Sequence, residues 1–365
     1  MSLASFDRPM TPKGIQQGLP ATMRAVRFDS AAGKLELAEI PVPKAHRDEV
    51  IVKVAACGIC RSDLARIDGF VQPGMRVYTP GHEAAGVVAA VGDDVRSWVP
   101  GDRVVVAAGR ECHACPECKE GIGADNCSDL RLMAVHYDGA WAEYLVTSAT
   151  ALVAVPDAVP LEHAAVLSGA VSTPYGAIDT AGLRPAEAVG VWGSGGLGTH
   201  LVQLARICGA SPIIALDSRP EARERALARG ADVALDPANK RVASYIAEIT
   251  RGRGLDVAFD FVGRESTFEQ AQKVLGERGR LVLVKTAPEG SLVEQWLSDG
   301  EDGRTVIGHT GYRVRHLRDL VELAERGRLD VTASISAILP LARVADGLAK
   351  VRSYEGNPLR LLLRP

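Results

Sequence analysis

The sequence predicts an α/β protein built from two different parts, as its length and the order of its apolar segments indicate. The chain has 365 residues, which favours two domains at about 150 residues per domain. From residue 23 to about residue 160, short apolar runs are separated by turn residues, a pattern typical of an all-β body. Beyond that point strands alternate with helices of about ten residues, which predicts a parallel, doubly wound sheet.

In the first part, the expected strands are short and are bounded by residues that favour turns. Gly33, Pro41 and the pair Pro100-Gly101 interrupt the apolar runs. The predicted strands cover residues 23–28, 34–39, 49–56, 83–91 and 103–107. Two helical segments, 161–167 and 172–180, are expected where the pattern changes.

In the second part, apolar runs and amphipathic segments follow one another in regular order. The predicted strands cover residues 188–192, 213–216, 256–260 and 280–284, and the predicted helices cover 199–208, 221–229 and 267–275. Such alternation implies parallel strands joined by helical crossovers. A helix at 316–327 and an apolar strand at 359–363 are expected to close the chain.

Composition and charge exclude several classes of protein. Hydrophobic residues make up 47% and charged residues 24% of the chain, which is typical of a globular protein. The formal net charge of -3 argues against nucleic-acid binding through a broad basic field. A membrane-spanning helix needs about 20 mainly apolar residues. The uncharged run 188–205 is shorter and contains five glycines and His200, so we expect no membrane span and no membrane partner. Residues 1–22 lack an apolar signal core and are predicted to form a mobile extension of a cytoplasmic protein.

A glycine-rich motif follows the apolar strand predicted at 188–192 and opens the next helix. Its glycines suit a tight turn, close approach of a pyrophosphate and close packing of helix on strand, and the helix N-terminus attracts the anion. Asp217 follows the second strand, where a carboxylate binds the ribose hydroxyls and repels a 2′-phosphate, so NAD is favoured over NADP. The motif residues expected to bind the cofactor are Gly193, Ser194, Gly195, Gly196 and Leu197, with Gly198 at the helix start.

Four cysteines lie close together in the first part of the chain. Cys112, Cys115, Cys118 and Cys127 have a spacing that closes a tetrahedral S4 shell, as in structural zinc sites. Disulfides, free thiols or an iron–sulfur cluster are alternatives, but the downstream Cys-Pro typical of such clusters is missing. The spacing therefore predicts a structural zinc.

A second candidate metal site lies earlier in the chain. Cys57 and Cys60 form a C-x-x-C pair, but they follow a β-rich segment, which argues against a thioredoxin-like redox motif. His82 and Glu83 lie downstream. A thiolate, an imidazole and a carboxylate make a partial zinc shell.

These motifs occur in the order found in medium-chain, zinc-dependent alcohol dehydrogenases, which the chain resembles from residue 23 to residue 363. The motifs are Cys60-Arg61-Ser62-Asp63, Gly81-His82-Glu83, the four-cysteine lobe, Ser172-Thr173-Pro174-Tyr175-Gly176, the glycine motif and Asp217. The resemblance implies a GroES-like β-barrel catalytic domain formed by residues 23–171 and 311–365. It also implies a Rossmann dinucleotide-binding domain formed by residues 172–310.

The resemblance also assigns roles to individual residues. Cys60 and His82 match catalytic-zinc ligands, and Glu83 matches a neighbouring carboxylate that can enter the zinc shell. Ser62 matches the hydroxyl that receives the substrate's proton, and Asp63 the acid that orients His82. The further cofactor-binding positions that it implies are Arg61, Thr173, Val262, Val284 and Arg360.

Three positions depart from the family pattern. Gly169 stands where the family has its third zinc ligand, so Glu83 would have to coordinate permanently, or zinc would bind weakly or not at all. Ala65 replaces a histidine that ends the proton relay in many relatives, so Ser62 is expected to pass its proton to ribose and water. Lys285 replaces the usual glycine near the expected cofactor, and its role is open.

The resulting prediction is an NAD-dependent zinc alcohol dehydrogenase or carbonyl reductase that acts on a small-molecule alcohol, aldehyde or ketone. It is expected to be a homodimer or homotetramer. Two alternatives stay open because of Gly169. One is a zinc-free reductase of conjugated double bonds with the same fold. The other is a non-catalytic dinucleotide-binding protein.

Overall fold

The computed structural model describes residues 18–72, 74–120, 124–284 and 303–365. Most of the predicted N-terminal extension, residues 1–17, lies outside the described residues, as does Lys285. The first strand begins at Thr22, so the last residue of the predicted extension already belongs to the sheet. Within the described part of the chain, no helix is long and apolar enough to cross a membrane.

The first part of the chain folds mainly into β-sheets, as predicted. The strands are β1 Thr22–Asp29, β2 Lys34–Pro41, β3 Glu49–Ile59, β4 Val77–Tyr78, β5 Ala84–Val91, β6 Arg103–Val106, β7 Gly109–Arg110, β8 Arg131–Leu132, β9 Tyr144–Ser148 and β10 Leu152–Ala154, with β17 Ile335–Pro340 and β18 Arg360–Arg364 from the C-terminal region. A seven-stranded sheet has the order β10-β6-β5-β3-β18-β17, with β9 also paired to β3. A three-stranded sheet has the order β2-β1-β4.

The C-terminal strand completes the sheet begun by the first part. In the antiparallel register of β18 and β3, Leu361 lies opposite Ile59 and Leu363 opposite Cys57. Strand β5 pairs on the other side of β3, with Ala84 opposite Cys57. The ends of three strands therefore meet around Ile59, which brings residues from distant parts of the sequence into one site.

The second part forms a six-stranded parallel sheet of order β13-β12-β11-β14-β15-β16, the predicted doubly wound arrangement. Two of its central strands, Val189–Trp192 and Ile213–Leu216, are entirely buried and apolar, as expected for a parallel sheet covered on both faces. The strands of this sheet are β11 Val189–Trp192, β12 Ile213–Leu216, β13 Val233–Leu235, β14 Leu255–Asp260, β15 Leu275–Val284 and β16 Thr305–His309.

The described helices connect these strands and the two parts. They are α1 Arg61–Ile67, α2 Pro116–Lys119, α3 Leu161–Val166, α4 Ser172–Ala181, α5 Gly198–Ile207, α6 Pro220–Ala228, α7 Val242–Ile249, α8 Glu265–Lys273, α9 Val314–Glu325 and α10 Val344–Ser353. Between α3 and α4 the chain forms a π-helix, Leu167–Val171, which the sequence did not predict. Such turns are rare and frequently lie at functional sites, and this one contains Gly169.

A buried histidine lies at the start of α5, behind the glycine motif. His200 is 1% exposed, and its Nε2 finds no hydrogen-bond partner in the part of the chain that the structure describes. Burial, with a smaller effect from the guanidinium of Arg360, lowers the pKa of His200 to about 3. The imidazole is therefore neutral in the folded protein across the physiological range.

We predict that His200 makes the protein less stable in mild acid. Below about pH 6.5 a histidine in the unfolded chain binds a proton, whereas His200 in the folded protein stays neutral. The contribution of His200 to the free energy of unfolding is therefore fully present above that pH and falls by about 1.4 kcal/mol per pH unit below it. The free energy of unfolding, measured with urea between pH 5 and 7, should depend less steeply on pH in His200→Gln than in the wild type. The difference in slope should correspond to about one proton. His46→Gln, at an exposed position, is the matched control. Parallel profiles for His200→Gln and wild type would contradict the assignment.

Candidate active site

The partial zinc shell predicted from the sequence is brought together where the strands meet. Cys60 lies between the end of β3 and the start of α1, and His82 and Glu83 immediately precede β5. One ligand atom from each of these three residues lies within 4.8 Å of the other two. The backbone N–H of Gly58 donates to the Glu83 carbonyl at 2.8 Å, which ties the two segments together.

Asp63 contacts both Cys60 and His82, the two residues that match catalytic-zinc ligands. Its Oδ1 lies 2.9 Å from Nδ1 of His82, and its Oδ2 accepts the backbone N–H of Cys60 at 3.0 Å. A carboxylate on Nδ1 leaves Nε2 as the nitrogen that can bind a metal. Ser62 Oγ lies 3.3 Å from that Nε2, so the serine hydroxyl borders the same space.

Glu83 and Arg360 form an ion pair inside the protein. Glu83 is 1% and Arg360 5% exposed, and Nε of Arg360 lies 3.2 Å from Oε2 of Glu83. Among the described residues, neither carboxylate oxygen of Glu83 has a hydrogen-bond partner. Arg360 Nη1 also donates to the Ile59 carbonyl at 3.2 Å. Two buried carboxylate oxygens without hydrogen bonds are a donor set that suits a cation.

Gly169 lies directly against Glu83. A Cβ at position 169 would overlap Oε1 of Glu83 and lie 2.5 Å from its Cγ. The side-chain space at the family's third-ligand position is therefore filled by the Glu83 carboxylate. Gly58 borders the same carboxylate from the other side, where a Cβ would overlap Oε2.

Burial and neighbouring charges shift the pKa values of the three candidate ligands: the pKa of Cys60 is lowered, and the pKa values of His82 and Glu83 are raised, so a metal would displace their protons. Burial alone would raise the pKa of Cys60, but Arg360 and the hydrogen bond from His82 outweigh it and lower the pKa to about 5. Burial raises the pKa of Glu83 to about 8 in spite of Arg360. A thiolate, an imidazole and a desolvated carboxyl group at this spacing fit a zinc ion with one open position.

The four-cysteine lobe has the geometry of a closed metal site. Cys112 Sγ lies 3.9 Å from Cys118 Sγ, and Cys115 Sγ lies 3.9 Å from Cys127 Sγ. Tetrahedral zinc with Zn–S bonds of about 2.3 Å requires sulfur atoms about 3.8 Å apart. The backbone N–H groups of Ala114 and Cys115 donate to Cys112 Sγ and lower its pKa to about 6. The lobe therefore fits a structural zinc.

The glycine motif has the close contacts that a dinucleotide loop requires. Gly193 has φ +88°, and its N–H donates to the Leu216 carbonyl at 2.7 Å. A Cβ at Gly198 would overlap the Gly193 carbonyl oxygen, so α5 can begin there only with glycine. A Cβ at Gly196 would lie 2.9 Å from the Leu359 carbonyl and 3.7 Å from Arg360 Nη2. Arg360 thus lies between the candidate metal site and the glycine motif.

Asp217 lies at the end of β12, as predicted, and 5% of it is exposed. Its Oδ2 accepts the N–H of Ser194 at 2.9 Å, which connects it to the glycine motif. Burial would raise the pKa of Asp217, but its hydrogen bonds with Arg219 lower it below the usual range. The carboxylate is therefore ionised beside the loop.

The other predicted cofactor residues lie at or next to the ends of helices and strands. Thr173 is in the first turn of α4, Val284 is buried at the end of β15, and Leu197 precedes α5. Val262 Cγ2 would lie 2.8 Å from a Cβ at Gly193. The guanidinium of Arg61 lies 4.4 Å from the centre of the Tyr354 ring. Tyr354 was not among the sequence-based candidates, because no motif marks it.

We predict that the lobe zinc stabilises the fold and that Cys115→Ala removes it. The variant should bind one zinc fewer per chain and unfold at a lower temperature, since a structural zinc contributes about 10 kcal/mol or more of coupled folding free energy. Metal analysis and thermal unfolding measure both effects. Cys208→Ala, outside both clusters, should leave the metal content unchanged. A Cys115→Ala protein with full zinc content and stability would refute the assignment.

Comparisons with known proteins agree with this geometry. Residues 46–157 match the family model "Alcohol dehydrogenase GroES-like domain", and residues 196–326 match "Zinc-binding dehydrogenase". The chain is 34% identical over 272 residues to the NAD-dependent alcohol dehydrogenase of Sulfurisphaera tokodaii, covering 72% of this chain and 78% of that protein. It is 28% identical over 355 residues to sorbitol dehydrogenase of Bacillus subtilis, covering 95% of this chain and 98% of that one.

The solved structure of the alcohol dehydrogenase from Thermus sp. ATN1 has the same fold. It superposes with a TM-score of 0.80 at 28% identity, covering 94% of this chain and 99% of that one. The predicted combination of a GroES-like part with a Rossmann sheet is thereby confirmed. The chain belongs to the zinc-dependent, medium-chain alcohol dehydrogenase family.

Proposed function

We propose that this protein is a zinc-dependent alcohol dehydrogenase or carbonyl reductase that transfers a hydride between NAD(H) and a small alcohol, aldehyde or ketone. The observation that carries the proposal is the position of Arg360. Its side chain contacts Glu83 in the candidate metal site, and a Cβ at Gly196 of the glycine loop would lie 3.7 Å from it. A metal-bound substrate and a dinucleotide would therefore meet in one cleft.

Cys60, His82 and Glu83 are the residues proposed to hold the catalytic zinc. Such an ion supplies a Lewis acid for the alcohol or carbonyl oxygen. The chain's own groups prepare the site for it: Asp63 fixes the tautomer of His82 through Nδ1, and Arg360 keeps the buried Glu83 carboxylate from being an isolated charge. The ligands are thus arranged before the metal binds.

Ser62 is proposed to receive the proton of the substrate hydroxyl. Its Oγ borders the ligand space at 3.3 Å from His82 Nε2. Position 65, one turn further along α1, is alanine and cannot relay a proton. Ser62 therefore passes the proton to the cofactor ribose and water.

The two alternatives are less well supported. A reductase of double bonds needs no Lewis acid, yet the chain retains a thiol, an imidazole and a carboxyl group within 4.8 Å of one another. A non-catalytic dinucleotide-binding protein would have no use for Ser62 beside that cluster. The family comparisons also favour alcohol dehydrogenases.

Metal analysis of the purified protein, combined with a turnover screen, tests the proposal. Two zinc ions per chain and oxidation of alcohols with NAD support it. One zinc, with turnover of enones and not of alcohols, supports the double-bond reductase. One zinc and no turnover of either class support the non-catalytic protein. Size-exclusion chromatography with light scattering tests the proposed homodimer or homotetramer, and cell fractionation tests the proposed cytoplasmic location.

We predict that Glu83 and position 169 can exchange the role of third ligand. Glu83→Ala should lose the catalytic zinc and alcohol oxidation but keep the lobe zinc. Gly169→Ala should also weaken the catalytic zinc, because the new Cβ displaces the Glu83 carboxylate. Adding Gly169→Asp to Glu83→Ala should restore part of the zinc content, since it supplies a carboxylate from the other side of the same space.

Zinc content and kcat/KM for alcohol oxidation measure this exchange. Gly176→Ala, in the following helix, is the control for placing a methyl group nearby; its Cβ would lie 3.1 Å from His309 and not near Glu83. If neither Glu83→Ala nor Gly169→Ala changes the zinc content, Glu83 is not a ligand.

We predict a preference for NAD(H) over NADP(H) of about tenfold, or about 1.4 kcal/mol, because Asp217 places an ionised carboxylate where a 2′-phosphate must lie. Asp217→Ser should narrow this gap. Steady-state kinetics with both cofactors measure it. Equal or better use of NADP(H) by the wild type would overturn the prediction.

A further inference from the structure

The carboxylate of Asp217 already accepts as many hydrogen bonds as it can. Oδ1 accepts the backbone N–H and the Nε–H of Arg219, both at 3.0 Å. Oδ2 accepts Nη2–H of Arg219 at 3.0 Å and the N–H of Ser194 at 2.9 Å. A carboxylate offers about four lone-pair sites. Ribose hydroxyls can therefore reach Asp217 only if a bond from Arg219 is shared or released.

Arg219 is also held from the other part of the chain. Its Nη1 donates to Oδ1 of Asn357 at 3.0 Å, and its guanidinium lies 5.1 Å from the centre of the Tyr354 ring. The same ring carries Arg61 at 4.4 Å. Two guanidinium groups thus share one aromatic ring, next to the proposed pyrophosphate and ribose sites.

This arrangement affects the two cofactors differently. The ribose hydroxyls of NAD are neutral and compete with Arg219 for Asp217. The 2′-phosphate of NADP is repelled by Asp217 but offers a guanidinium fork charge-assisted bonds, which are the stronger kind. The same arginine therefore slightly hinders NAD and assists NADP.

We propose that Arg219 is a second specificity-determining residue, which offsets part of the repulsion that Asp217 exerts on a 2′-phosphate. The proposal rests on the proposed dinucleotide site, with its ribose at Asp217. The ratio of NAD to NADP affinity is then set by the pair and not by the carboxylate alone. Asn357 and Tyr354 position the guanidinium from the side opposite Asp217.

The test is the binding of NADH and NADPH to Arg219→Gln, measured by fluorescence titration at fixed ionic strength together with kcat/KM for each cofactor. We expect the preference for NADH to rise about tenfold, mainly through weaker NADPH binding, because one charge-assisted bond is lost. Arg223→Gln is the matched control. It also removes one positive charge, one turn further along the chain, but Arg223 contacts the backbone carbonyls at 217 and 218 and the Asp236 carboxylate rather than the Asp217 carboxylate.

A double-variant comparison separates the two residues. Asp217→Ser frees Arg219 and should favour NADPH, and adding Arg219→Gln should abolish that gain. If Arg219→Gln cannot be purified folded, Arg219→Lys, which keeps the charge but loses the fork, should give an intermediate shift.

The inference is overturned if Arg219→Gln leaves the preference for NADH over NADPH at the wild-type value or lowers it. It is also overturned if this preference changes no more than it does in Arg223→Gln. Failure of the proposed function has a different signature. A wild type that favours NADPH contradicts the proposed NAD preference, yet the shift caused by Arg219→Gln still measures the role of Arg219. A wild type that binds neither cofactor contradicts both.

Discussion

The ion pair between Glu83 and Arg360 is the interaction on which the geometry of the site depends. Both side chains are buried, and burial raises the pKa of the Glu83 carboxyl group although the Arg360 guanidinium opposes this shift. When the carboxyl group is ionised, removing its partner would leave an uncompensated buried charge, which typically costs about 3–5 kcal/mol. The pair can form only because β18 lies beside β3 with Leu361 opposite Ile59. The C-terminal strand therefore contributes to the candidate metal site as well as to the sheet.

Arg360 alone does not satisfy Glu83, because neither carboxylate oxygen makes a hydrogen bond with any residue that the structure describes. The space that these oxygens occupy exists because position 169 is glycine. Gly169 lies in a π-helix, whose extra residue per turn changes the direction of neighbouring side chains relative to an α-helix. The absence of a side chain at Gly169, where the family has its third ligand, is therefore what allows the Glu83 carboxylate to occupy this space.

The sequence predicted best what depends on neighbouring residues. The cysteine lobe and the glycine motif were readable because their members lie close together along the chain, and apolar periodicity predicted the parallel strands. The π-helix was missed because an i→i+5 turn has no characteristic apolar pattern. Tyr354 and Asn357 were missed because their contacts with Arg219 join distant segments. The direct packing of Glu83 on Gly169 likewise depends on three-dimensional structure.

Asp217 illustrates the difference between identifying a residue and knowing its state. Its position after β12 is sufficient to predict a carboxylate near the ribose. Whether that carboxylate is free to accept hydroxyl groups depends on its other bonds, and here Arg219 and Ser194 supply four of them. A carboxylate whose acceptor sites are all occupied still repels a phosphate. It can accept hydrogen bonds from the two ribose hydroxyls only if some of its present hydrogen bonds are released. In the proposed function, cofactor preference therefore depends on the Asp217–Arg219 pair, which connects the glycine motif to the C-terminal segment that also carries Arg360.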